Sequence, residues 1–114
     1  MRKQMIENAA HEVATQVRAV EESIEAALIE IAELQTKMVH ARATTRAGFA
    51  NTHGAFEQLS LATSSLIAAR GGIAYCHAEL ADVRETLPGL RTVSWGDGQE
   101  CPPKEARIGL RVVA

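Results

Sequence analysis

Apolar residues in the first part of the chain recur at alternating steps of four and three residues. Residues at this spacing share one face of an α-helix, so the pattern predicts a long amphipathic helix. Neither proline nor glycine interrupts it before Gly48. We therefore expect a helix over residues 2–46, roughly 65 Å long at 1.5 Å per residue. The apolar positions are Ile6, Ala10, Val13, Val17, Val20, Ile24, Ala27, Ile31, Leu34, Met38 and Ala41.

A second repeat of the same kind predicts a second helix over residues 53–87. Its large positions are Leu59, Leu66, Ile73, Leu80 and Leu87, and its small or modest positions are Ala55, Ala62, Ala69, Cys76 and Val83. Alternating small and large side chains let two helix backbones approach closely. Pro88 and Gly89 follow directly and end the helix.

The residues between the two repeats favour a turn at about 47–52, with Gly48, Asn51 and Gly54 as turn formers. One feature favours the alternative of a single continuous helix: Thr45, Thr52 and Leu59 are seven residues apart, so the repeat continues in phase. The positions in this stretch are small or polar and would bury little in an extended coiled coil. We therefore predict an all-α chain whose residues 1–88 form an antiparallel, coiled-coil-like helical hairpin.

Composition agrees with an all-α fold and limits the expected binding partners and cellular location. Aromatic residues make up only 4% of the chain, which suits close-packed helices better than a β-sandwich. The net charge of −2 does not indicate a nucleic-acid or anionic-membrane partner. No apolar run approaches the ~18 residues of a transmembrane helix, and no signal peptide is recognisable. The expectation is a cytoplasmic protein that does not associate with membranes.

The last segment, residues 89–114, has a different character. Stretches that alternate apolar and polar residues flank a turn-rich stretch, which predicts a short C-terminal arm with possible β structure. Trp95, the sole tryptophan, is expected to anchor this arm to the helices; the alternative is an exposed hot spot for a partner. Cys76 is expected to be buried within the second helix, and a disulfide between Cys76 and Cys101 is left open.

Two adjacent glycines in the second helix point to association between chains. Gly71 and Gly72 should together cost about 2 kcal/mol relative to alanines in a helix interior. Gly72 lies on a second stripe of small residues, and the first helix also carries a second apolar stripe. A hairpin uses only one face of each helix, so we predict a homodimer, most simply a four-helix bundle, with Gly72 at a close helix crossing. A local kink is the alternative. The predicted interface comprises Leu28, Ala32, Val39, Ser65, Ala68, Gly72 and Cys76.

Basic residues gather at the end of the first helix, where no acid follows Glu33 before the turn. Lys37, His40, Arg42 and Arg46 form a candidate site for an anionic partner, including a phosphate backbone. The favoured interpretation is that they compensate the helix dipole, since cations stabilise helix C-termini.

No residue pattern predicts a catalytic, cofactor or metal site. The four histidines have no His or Cys partner at metal-ligand spacing, and the acidic residues of the first helix suit a solvated face. The sequence therefore favours a non-catalytic protein-interaction module, an adaptor, inhibitor or structural subunit, with itself and an unidentified protein as partners. Nucleic-acid or acidic-partner binding through residues 37–46 is the alternative. An enzyme with a site assembled across the dimer is the least favoured.

Overall fold

A computed structural model describes residues 1–87, which form two long helices folded into a hairpin. Helix α1 is Arg2–Thr45 and helix α2 is Phe49–Glu85. Arg70 of α2 donates a hydrogen bond to Glu25 of α1, and no strand occurs in the described part of the chain. The all-α hairpin is confirmed, and the single continuous helix is wrong. The C-terminal arm, with Trp95 and Cys101, lies outside the described residues.

The chain divides into two compact units. Among the described residues, one comprises Met1–Val20 together with residues 71–87, and the other is the continuous segment Glu21–Arg70. Each unit therefore contains part of α1 and part of α2. The second unit also contains the turn between the helices.

The turn is shorter than the sequence pattern predicts. Arg46 has a left-handed backbone with φ of 57°, a conformation that commonly ends helices. The Thr45 hydroxyl donates to the Ala41 carbonyl at 2.8 Å, and the backbone N–H of Thr52 donates to the Gly48 carbonyl at 3.2 Å. Helix α2 begins at Phe49 rather than near residue 53, so only residues 46–48 separate the two helices.

The face of α1 that packs in the hairpin follows half of the predicted repeat closely. Ala10, Val17, Ile24, Ile31 and Met38, spaced seven residues apart, are all half-buried. The alternate positions are only partly covered: Val20 and Ala27 are half-buried, whereas Ile6, Val13, Leu34 and Ala41 are exposed. In α1, therefore, one of the two predicted core positions of each heptad is covered consistently, and the other is covered at only some heptads.

The contact stripe of α2 is rotated relative to the prediction. Leu59, Leu66 and Ile73 are half-buried as expected. The small positions Ala55, Ala62, Ala69 and Cys76 are exposed, and Thr63, His77 and Arg84 are covered instead. An alanine buries a single methyl group, so turning these residues outward forgoes little apolar burial. The rotation also brings Arg70 within reach of Glu25.

Few of the described residues are buried, and Gly71 and Gly72 are both exposed. Only His77 and Ala78 are buried, at 5% and 1% exposure. Helix α2 runs unbroken through Gly71 and Gly72, so the glycines do not break the helix. A Cβ built on either glycine meets no atom of the described chain within 4 Å. Close approach at Gly72 by a second chain stays a prediction.

Candidate interaction surfaces

The hairpin leaves much of its apolar surface open to solvent. Among residues 1–87, large hydrophobic side chains are exposed along both helices, and half-buried ones line the contact stripes. A stable monomer normally covers most such side chains, and contiguous exposed apolar patches mark interaction sites. The exposed residues are Met1, Met5, Ile6, Val13, Ile29, Leu34, Val39, Phe49, Leu61, Ile67, Leu80, Val83 and Leu87.

The first unit contains an apolar groove between its two helical segments. Its volume is about 160 Å³, and Val13, Val17, Leu80, Val83 and Leu87 supply its large apolar walls. Buried His77 and half-buried Arg84 also line it. A cavity near 150 Å³ accommodates a benzene-sized group, so this groove can accept one aliphatic or aromatic side chain. The sequence pattern assigns these residues to hairpin packing and gives no signal that a groove remains.

The second unit has a shallow groove on the outer surface of α1, which we call the outer groove. It is lined by Ile29, Ala32, Glu33, Thr36, Lys37 and His40. Ile29 is 62% exposed, and the Thr36 hydroxyl donates to the Ala32 carbonyl at 3.2 Å. This groove brings one residue of the predicted dimer interface, Ala32, together with two of the predicted basic residues, Lys37 and His40.

The other two predicted basic residues lie at the turn. The Arg42 guanidinium carbon is 5.3 Å from the centroid of the Phe49 ring, within range for a cation–π contact. Arg46 is the left-handed residue that ends α1. Arg42 therefore ties the end of α1 to the start of α2.

Most of the predicted dimer interface is open to solvent in the isolated chain. Leu28 is half-buried, whereas the remaining six residues are exposed: Ala32, Val39, Ser65, Ala68, Gly72 and Cys76. The expectation that Cys76 is a buried core residue is wrong, because the rotated stripe of α2 turns its side chain outward. Its exposure leaves the thiol accessible.

One polar contact within the second unit was not anticipated from sequence. Arg70 forms an ion pair with Glu25, and both side chains remain more than half exposed. The hydrogen bond from Arg70 to Glu25 and the charge of Glu25 raise the pKa of Arg70, and the charge of Glu21 adds to this. Thr63, Arg70 and His77 are seven residues apart and lie on the rotated stripe. This spacing is the sequence feature from which the contact could have been predicted.

The described residues contain neither a cluster of three metal-ligating side chains nor a membrane-spanning helix. Within residues 1–87, no three His, Cys, Asp or Glu side chains come close enough to hold a metal ion. His53 lies 3.5 Å from Glu57 on an exposed face of α2, a pair one helical turn apart. Neither α1 nor α2 is apolar enough over sufficient length to cross a bilayer. Comparisons with protein-family models, curated proteins and solved structures found no match.

Proposed function

We propose that this chain is a non-catalytic interaction module that associates with a second copy of itself through exposed helical surfaces. The observation that carries the proposal is the contrast between two buried residues and a long series of exposed large hydrophobic side chains within residues 1–87. A two-helix hairpin has no third layer to cover these side chains, whereas a bundle of four helices does.

The features of the outer surface support protein contact rather than anion capture. Ile29 and Val39 are exposed at 62% and 49%, and apolar groups of this size are the usual source of association energy. Arg42, one of the three permanently charged residues of the predicted basic patch, already lies over Phe49. Binding of an acidic partner at residues 37–46 is therefore the less favoured function.

The test compares polar substitutions on the exposed apolar surface of α1 with a matched substitution elsewhere. Ile29→Asp and Val39→Asp are expected to lower the mass measured by size-exclusion chromatography with light scattering from dimer to monomer. Glu57→Gln, at an exposed position of α2 outside the predicted interface, is the control and should leave the mass unchanged. Circular dichroism checks that helix content is retained. A wild-type chain that remains monomeric at high concentration would contradict the proposal.

A further inference from the structure

The outer groove of α1 has a charge arrangement that matches a copy of itself running in the opposite direction. Along α1 all charged residues between Glu21 and Glu33 are acidic and all between Lys37 and Arg46 are basic, and of these the groove contains Glu33, Lys37 and His40. Glu33 and Lys37 lie one helical turn apart in the same groove, at the point where the sign of the charge changes. This point is the natural centre of a two-fold pairing.

Two-fold symmetry makes each contact occur twice, because residue i meets residue j and residue j meets residue i. An antiparallel pairing of α1 with its copy, centred near residue 35, sets Glu33 of one chain opposite Lys37 of the other. The two-fold axis repeats the contact, so Lys37 of the first chain also lies opposite Glu33 of the second. A parallel pairing would instead place like charges together, which is destabilising.

The apolar content of the groove gives this pairing its driving force. Ile29 and Ala32 lie among the charged residues on the same surface, and Ile29 is 62% exposed in the isolated chain. An antiparallel partner would cover both residues on each chain. The charges then select orientation and register, as charged positions do in coiled coils.

We infer that the outer groove is a self-recognition surface that pairs α1 antiparallel with α1 of a second copy through reciprocal Glu33–Lys37 contacts. The inference rests on the proposed self-association and adds its surface, its direction and its register. It is distinct from the stripe of Ser65, Ala68, Gly72 and Cys76 on α2.

The experiment uses two full-length charge variants and their mixture. Lys37→Glu makes both positions acidic, and Glu33→Lys makes both basic. Each variant alone is expected to dissociate on the order of tenfold or more readily than wild type, because each dimer then contains two like-charge contacts. An equimolar mixture is expected to form a one-to-one heterodimer, detected by native mass spectrometry, since opposite charges again face each other across the two chains.

The mixing experiment distinguishes the loss of a contact between chains from the loss of a contact within one helix. Residues 33 and 37 are one turn apart, so either substitution also removes an intrahelical pair, and mixing cannot restore that pair. Glu57→Lys, another exposed acid on a helix, is the control and should not alter dimerisation. Dimers that persist in both single variants, or variants that dissociate without recovering on mixing, would overturn the inference while leaving self-association intact. A monomeric wild type would overturn both.

Discussion

Replacing Gly71 and Gly72 with alanine tests whether these residues serve the single chain or its association with a second one. Both glycines lie in the interior of α2, and an added Cβ at either position meets no atom of the described chain within 4 Å. Alanine therefore brings no steric cost in the isolated hairpin. Its helix propensity exceeds that of glycine by about 0.8–1.0 kcal/mol per residue.

The double variant should accordingly be more stable than wild type by about 2 kcal/mol. For a domain of this size, 1 kcal/mol corresponds to a rise of roughly 4–8 °C in Tm, so the expected increase is roughly 8–16 °C. The measurement is thermal unfolding followed by circular dichroism at protein concentrations low enough to populate the monomer. Gly54→Ala is the single-site control; its Cβ also meets no described atom within 4 Å, and it should add about half as much.

Alanine at position 72 should weaken dimerisation, although it stabilises the monomer, if Gly72 lies at a close crossing of two helices. The dimer of the Gly72→Ala variant is expected to dissociate more readily than wild type, whereas Gly54→Ala leaves dissociation unchanged. No gain in monomer stability would refute the account of Gly71 and Gly72 as unpacked helix-interior residues. A gain in monomer stability together with an unchanged dissociation constant of the dimer would show that Gly72 does not lie in the interface.

Three further experiments test the hairpin itself. Leu66→Ala, on the half-buried contact stripe, should lower the free energy of unfolding by about 1–2 kcal/mol, whereas Leu61→Ala, at 61% exposure, should change it by less than about 0.5 kcal/mol. Urea denaturation of the monomer measures both, and equal effects would contradict the packing of α2 against α1 through Leu66. Phe49→Ala removes the ring beneath Arg42 and should cost about 0.5–1 kcal/mol, while Phe49→Tyr, which keeps a ring, should cost less; no difference between the two would argue against the cation–π contact. In the Cys101→Ser variant, the exposed thiol of Cys76 should react with a thiol reagent about as fast in the folded monomer as in the urea-unfolded chain. A much slower reaction in the dilute folded protein would show that the chain itself covers Cys76.

The fold could be predicted from sequence because long helices leave a strong periodic signal. The repeat through Ala10, Val17, Ile24 and Ile31 correctly identified the packed face of α1, and Gly48 correctly indicated the turn. The extent of the turn was less predictable, since the left-handed backbone at Arg46 is a property of an ordinary residue that sequence does not mark.

The orientation of α2 was harder to predict because two nearly equivalent faces compete. The alanines of the predicted stripe bury so little area that they do not fix the rotation of the helix. The contact between Arg70 and Glu25 belongs to the other rotation, and long polar side chains are not counted in an apolar repeat. The same rotation exposes Cys76 and leaves His77 buried.

The candidate surfaces follow from burial, which sequence alone does not give. The apolar pattern indicates which residues are hydrophobic, but it does not show which of them a two-helix hairpin leaves uncovered. Ala32 and Lys37 belonged to different predictions until the outer groove placed them together. The remaining prediction, that a second chain covers this surface, concerns an assembly and is open to direct measurement.

Sedimentation equilibrium of the full-length chain over a wide concentration range tests the central claim most directly. If the exposed apolar faces of the hairpin are covered by a second copy, the measured mass should rise reversibly from about one to about two chain masses of 12.3 kDa. A mass that stays at one chain throughout, with helix content unchanged, would contradict the account.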